Sequence, residues 1–95
     1  MSHPDFLEIE KEHVTELHFP VEEVLTKTSQ LKERSLAVQR AITLGNLEHQ
    51  KVKIYFADDQ GQKMVHTTIW AVTDTAIVLK QNVILPIHRI INLEI

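Results

Sequence analysis

The hydrophobic pattern of this chain changes its period between Gly45 and Lys51, and no other feature limits the possible folds as strongly. Before the change, apolar and small residues recur every three or four positions, which is the spacing of one helix face. After it, apolar and polar residues alternate, as they do along a β-strand. The chain has 95 residues, the size of one small domain. The sequence therefore predicts a single α+β domain over residues 1–95, with a helical first half and a β-rich second half.

The segment 19–46 is predicted to be helical. Pro20 suits the first position of a helix, and Gly45 is a usual residue at a helix end. Ser29 is also a good N-cap, so the segment is either one helix or two helices with a break near Ser29. The residues that would face the rest of the domain form one stripe: Val24, Thr28, Leu31, Ser35, Val38 and Ile42.

The leading segment, residues 1–18, is acidic and has no single periodicity. Leu7 and Ile9 alternate as in a strand, whereas Phe6, Ile9 and His13 have helical spacing. A short strand and a short helix therefore both stay open. We predict a weakly ordered segment that lies on the rest of the domain.

Residues 51–95 are predicted to form five short antiparallel strands. Gly61 supplies the positive φ that a short hairpin loop needs, and "QN" at 81–82 marks a second tight turn. Short antiparallel strands with tight turns are typical of a small closed barrel, and the helix stripe would cover one of its ends. The inward-facing residues of the first two strands would be Val52, Ile54, Phe56, Val65, Ile69 and Ala71.

The stretch "LPIHRI" does not fit a straight strand. Arg89 alternates with Ile87 and Ile91, so a straight strand would bury it on the apolar face. An unpaired buried charge costs several kcal/mol. We therefore predict a 3₁₀ turn at 88–90, which places Arg89 in solvent and Ile90 in the core.

Several segments of the second half resemble those of a known family. "VKIYF", "AIVLK" and "IHRIINLEI" are similar in order and pattern to strands of Sm-like (SH3-type) barrels, such as the RNA chaperone Hfq and the Rho-inhibiting protein Rof. The segments "LGN", "TTIWAV" and "LPIHRI" also resemble a group of small uncharacterised proteins of Bacteroidetes-type bacteria. The resemblance implies an Sm-like barrel with an exposed corner near His88. Hfq-like proteins have a lysine where this chain has Ile87, so uridine binding and ring assembly do not follow from the resemblance.

Composition and charge limit the class of partner. Residues 1–50 carry nine acids and five bases, residues 51–95 carry four acids and five bases, and the net charge is −3. Proteins that bind phosphate backbones usually show clustered lysine and arginine. The chain contains no cysteine and no apolar run of the roughly 20 residues that span a bilayer. We predict a cytoplasmic protein without membrane contact.

No catalytic or metal-binding motif stands out. The three serines lie in the amino-terminal half, outside any nucleophile context, and two glycines do not make a phosphate-binding loop. Asp58 and Asp59 are ordinary turn residues, and the six histidines are dispersed without a ligand spacing. The sequence therefore predicts no enzyme activity, no metal site and no cofactor.

Five residues are candidates for binding a partner or RNA: Lys53, Tyr55, Trp70, His88 and Arg89. Trp70 is predicted either to pack under the amino-terminal segment or to stand exposed as an anchor for a partner, since tryptophan is enriched at binding hot spots. The predicted function is a non-catalytic binding module for protein interaction or self-association, through an open strand edge or the Trp70 face. The alternative is an Sm-like RNA-binding protein that uses Lys53, Tyr55, His88 and Arg89.

Overall fold

The computed structural model describes residues 6–48 and 51–94, in which one long α-helix precedes six of the seven strands. The helix α1 is Thr28–Glu48, and 3₁₀ turns are formed by Lys11–Glu16, Lys80–Asn82 and Ile87–Arg89. The strands are β1 (Leu7–Glu8), β2 (Val52–Ala57), β3 (Gln62–Thr67), β4 (Ile69–Val72), β5 (Ala76–Leu79), β6 (Val83–Pro86) and β7 (Ile90–Glu94).

The strands form two sheets, and the predicted closed five-stranded antiparallel barrel is wrong. One sheet has the order β1-β3-β2-β7 and the other the order β4-β5-β6. The first sheet is mixed, because β1 runs parallel to β3 while the other pairs are antiparallel. The stretch "KMVHTTIWAV" was expected to be one strand, but pairing breaks at Thr68. Because β3 pairs with β1 and β2, while β4 pairs only with β5, no strand joins the two sheets and no barrel closes among the described residues.

Two tight turns lie where the sequence predicts them. Gly61 has φ 147° in the loop between β2 and β3, a backbone conformation that glycine adopts without strain. Gln81 and Asn82 have φ 67° and 62° between β5 and β6, as a left-handed hairpin turn requires. The Asp58 carboxylate accepts hydrogen bonds from the backbone N–H groups of Gln60 and Gly61 at 2.9 Å each, which closes the first turn.

The core lies between the two sheets and one face of α1. The alternating residues of β2 are buried as predicted, and so are Val65 and Ile69. The helix contributes Val38 and Ala41, and the 3₁₀ turn Lys11–Glu16 contributes Val14. The remaining core side chains come from the second sheet and β7: Ile77, Leu79, Val83, Leu85, Ile90 and Leu93.

The helix differs from the prediction at both ends. It begins at Thr28 rather than near Pro20, and it continues through Gly45 to Glu48. The segment 17–27 has no regular helix because its backbone groups bond to distant segments. Asp59 N–H donates to the His18 carbonyl at 3.0 Å, and Val24 N–H donates to the His88 carbonyl at 2.8 Å.

The leading segment is held on the domain from residue 6 onward. Strand β1 pairs with β3, and Ile9 N–H donates to the Met64 carbonyl at 2.9 Å. The 3₁₀ turn after β1 is anchored by its own residue Val14, which is buried. Residues 7–16 thus contain both a short strand and a short 3₁₀ turn, the two possibilities that the sequence left open, and residues 1–5 lie outside the described residues.

Candidate functional site

The corner after Pro86 is a 3₁₀ turn, but Arg89 does not point into solvent. Ile90 is fully buried as predicted, yet Arg89 is also only 9% exposed. Its Nε donates to the Ala57 carbonyl at 3.0 Å, and its Nη1 donates to the Glu22 carbonyl at 2.8 Å. The prediction of a solvated Arg89 is wrong because two remote backbone carbonyls satisfy the buried guanidinium.

His88 is engaged by the segment that precedes α1. Its Nε2 lies 2.8 Å from the Pro20 carbonyl oxygen. A carbonyl only accepts, so Nε2 carries the hydrogen in this contact. The His88 carbonyl in turn accepts the bond from Val24 N–H. Residues 20–24 therefore lie across the corner that was predicted to be exposed.

The guanidinium of Arg34 fastens the same segment to α1 and β7. Nη1 and Nη2 donate to the two carboxylate oxygens of Glu23 at 2.7 Å each, and Nη1 also donates to the Ile90 carbonyl at 3.0 Å. The bond from Arg34 lowers the pKa of Glu23 below its ordinary value, against a smaller effect of burial. This ion pair is not among the site residues predicted from the sequence. The sequence does indicate that Arg34 needs a partner, because this charged residue lies within the apolar helix stripe, between Leu31 and Val38.

Lys53 and Tyr55 do not form the exposed aromatic and basic platform that RNA stacking would need. Tyr55 is 4% exposed, and its ring meets that of Phe6 edge-on at 4.9 Å between centroids. The Tyr55 hydroxyl lies 3.4 Å from a Glu94 carboxylate oxygen, and Lys53 Nζ lies 4.0 Å from the same oxygen. Burial raises the pKa of Tyr55, and the Glu94 charge adds to this rise.

Trp70 is 52% exposed, so the described part of the amino-terminal segment, from residue 6 onward, does not bury it. It lies at a β-bulge, because Ile69 pairs with Leu79 and Ala71 pairs with Val78, which leaves Trp70 as the extra residue. The bulge also reverses the expected orientation of Ala71. Ala71 was predicted to face the core with Ile69, but it is exposed.

The outward side of the β4-β5-β6 sheet carries an apolar row beside Trp70. Ala71 pairs with Val78, and Val78 pairs with Ile84, so these three side chains lie side by side across the three strands. Ile84 is 60% exposed, and Val78 is half-buried. We call Trp70, Ala71, Val78 and Ile84 the outer apolar face. Exposed apolar patches on a small domain commonly mark interaction sites.

Two of the four sheet edges, β6 and β7, offer less to a partner than this face does. Strand β6 has four residues and ends at Pro86, which has no N–H to give to an added strand. Strand β7 is an edge of the other sheet, but α1 packs along it and Arg34 bonds to the Ile90 carbonyl. At β6 and β7 the geometry therefore favours the Trp70 face over an open edge, and β1 and β4 are the other two edges of the sheets.

The predicted site residues consequently fall into three separate places. Lys53 and Tyr55 meet at Glu94, and His88 and Arg89 hold the segment before α1. Trp70 stands apart in the other sheet with Ile84, a residue that the sequence analysis did not single out. The strand run "VIL" at 83–85 indicates that Ile84 faces outward, because side chains alternate along a strand and both neighbours of Ile84 face the core.

Comparison with known proteins does not identify a family. No family model matches the chain, and the searches among curated proteins and solved structures also found no match. The resemblance of sequence segments to Sm-like proteins and to the Bacteroidetes-type group thus stays a prediction. Within residues 6–48 and 51–94, no helix combines the length and the apolar character needed to span a membrane.

Proposed function

We propose that this protein is a non-catalytic binding module that contacts a protein partner through the outer apolar face. The observation that carries the proposal is the outward-facing row Ala71–Val78–Ile84, with Ala71 and Ile84 exposed, beside the half-exposed Trp70. None of the four side chains is charged, and the Trp70 indole N–H is their only side-chain hydrogen-bond donor. The partner surface that fits this face is therefore apolar and uncharged at its centre.

The size of this face supports an interaction of modest strength. Complete burial of one large apolar side chain contributes roughly 1.5–3 kcal/mol. Tryptophan at the centre of an interface is often a residue whose truncation costs most of the binding energy. Trp70 and Ile84 are thus expected to dominate binding, while Ala71 and Val78 exclude water. A cytoplasmic location, suggested by the cysteine-free chain, belongs to the same proposal.

The test uses the fact that Trp70 is the only tryptophan in the chain. A partner captured by cross-linking in cells is purified and titrated into the protein while the Trp70 emission is recorded. We expect a blue shift on binding, because the indole leaves water, and we expect at least a tenfold loss of affinity in Ile84→Asp, which is about 1.4 kcal/mol.

The matched control is Val21→Asp, because Val21 is 90% exposed but lies in the segment before α1. It should bind the partner like the unchanged protein. Equal binding by Ile84→Asp and the unchanged protein, or an unaltered Trp70 emission on binding, would contradict the proposal.

RNA binding, the alternative function, has less support from the geometry. Tyr55 is buried, Lys53 lies near Glu94, and His88 and Arg89 are bonded to backbone carbonyls of the same chain. Each phosphate contact needs an available cation. We therefore expect no sub-micromolar binding of short labelled RNAs at about 0.15 M salt in fluorescence anisotropy.

A further inference from the structure

A second candidate surface lies between α1 and the turn that joins β4 to β5. It is an open groove of about 430 Å³, which we call the helix groove. The helix supplies one side of the groove, and β4 with the corner after β6 supplies the other. The apolar side chains that line it are Leu31, Val38, Ile42, Val72 and Ile87.

The rim of the helix groove carries free negative charge. Asp74 is exposed and forms no ion pair with the described residues. Arg34 also lines the groove, but Glu23 and the Ile90 carbonyl occupy its guanidinium. Glu23 and Asp74 both border the adjoining depression near His88. An apolar side chain flanked by basic residues is therefore the complementary ligand.

The same chain presents such a side chain on the outer side of α1. Leu36 is 64% exposed, and Lys32 and Arg40 lie one turn before and one turn after it. Residues four apart share one helix face, so the three side chains form one ridge, which we call the helix ridge. Lys32 and Arg40 are exposed and form no ion pair with other described residues.

The neighbouring acid on the helix does not neutralise the helix ridge. Glu33 lies on the flank of α1 that borders a depression with Leu25, Ile91 and Asn92. At about 100° per residue, position 36 lies roughly 160° around the helix from Val38 in the groove. Leu36 thus points away from the apolar floor of the groove, and one copy does not fill its own groove.

We propose that the helix ridge of one copy docks in the helix groove of a second copy. Leu36 would contact the apolar floor, and Lys32 or Arg40 would approach Asp74. Two different surfaces meet in this contact, so it is head-to-tail and extends into a ring or an open chain. The inference is independent of the proposed function, because neither the helix ridge nor the helix groove includes a residue of the outer apolar face.

Sedimentation velocity over a concentration series tests the proposal. We expect the weight-average mass of the unchanged protein to rise from 11.0 kDa toward at least twice that value as concentration approaches about 1 mM. Leu36→Asp removes the ridge, and Asp74→Lys reverses the charge of the groove rim. Both positions are exposed, so both variants should keep the circular dichroism spectrum of the unchanged protein and stay monomeric.

A mixture of the two variants identifies the head-to-tail geometry. The Leu36→Asp copy keeps an intact groove, and the Asp74→Lys copy keeps an intact ridge. The mixture should therefore form a dimer and nothing larger, because each copy has one surface that no longer binds. The matched control Val21→Asp should associate like the unchanged protein.

Three results would overturn the proposal. The first is a monomeric unchanged protein at about 1 mM. The second is undiminished association of Leu36→Asp. The third is loss of association in Ile84→Asp, since that result assigns self-association to the outer apolar face instead. Binding of another protein to the outer apolar face is measured separately through Trp70. The proposal for one surface can therefore be refuted while the proposal for the other stands.

Discussion

Arg89 is a charged residue that the fold buries by giving it backbone acceptors rather than a carboxylate. We expect Arg89→Ala to lower the free energy of unfolding by roughly 2–4 kcal/mol, because the Ala57 and Glu22 carbonyls lose their donors and a cavity remains. Denaturant melts measure the loss. Arg40→Ala is the matched control, since Arg40 is exposed and its loss should stay within about 0.5 kcal/mol. Equal stabilities of the two variants would show that Arg89 is solvated.

Asp58 makes stability depend on pH in the acid range. Burial alone would raise its pKa, but Lys63 and the N–H groups of Gln60 and Gly61 outweigh burial and hold the pKa below its ordinary value of 3.8. Lys63 Nζ lies 2.8 Å from the carboxylate, and the Asp58 side chain is fully buried. A lowered folded-state pKa contributes stability above the unfolded-state value, and this contribution is lost as pH falls through the folded-state value.

We therefore expect Asp58→Asn to be less stable than the unchanged protein at pH 5–7, with a difference that shrinks below about pH 4. Urea melts between about pH 2.5 and 7 measure this difference. Asp59→Asn is the control, because Asp59 is an exposed neighbour. A difference that stays constant into acid would show that the Asp58 carboxylate does not carry the effect.

Among the elements, the 3₁₀ turn Lys11–Glu16 is stabilised by a single buried side chain. Val14 is 2% exposed in the core cluster, and the turn packs against β6. We expect Val14→Ala to cost roughly 1–3 kcal/mol in denaturant melts, because it removes buried methyl groups. Glu16→Ala, at an exposed position of the same turn, should cost less than about 0.5 kcal/mol. Similar small costs for both would mean that the turn does not contribute to the core.

In strand β4, one extra residue changes which side chains face the core and which face solvent. The bulge at Trp70 shifts the pairing by one position, so Ile69 stays in the core while Ala71 faces outward. Without the bulge, Ala71 would extend the buried row and the outer apolar face would lose one of its three paired positions. The bulge is therefore the local feature that creates this surface.

In the whole molecule, β4 lies between the two proposed surfaces. Trp70 and Ala71 belong to the outer apolar face, while Val72, the next residue along the strand, lines the helix groove. Two of the four sheet edges are limited for strand addition, β6 by Pro86 and β7 by the packing of α1 along it. At these two edges, contacts between side-chain surfaces have more room than β-sheet extension.

Local pattern alone was enough for several features of this protein. The change of period separated the helix from the sheets, the row Val52–Ile54–Phe56 was correctly directed to the core, and Gly61 marked its hairpin. The turn before Ile90 was also predicted, although the reason given for it was wrong, because Arg89 is buried and bonded to two backbone carbonyls. These features depend on backbone sterics and on hydrophobic alternation, which act over a few consecutive residues.

The tertiary structure decided the features that depend on distant partners. Arg89 is buried because Ala57 and Glu22 approach it from far along the chain, and the same kind of contact keeps the residues before Thr28 out of the helix. The break at Thr68 divided the predicted barrel into two sheets, because pairing depends on which strands meet in space. A hydrogen bond between remote segments leaves no periodic signal in either of them, so their juxtaposition appears only when the chain has folded.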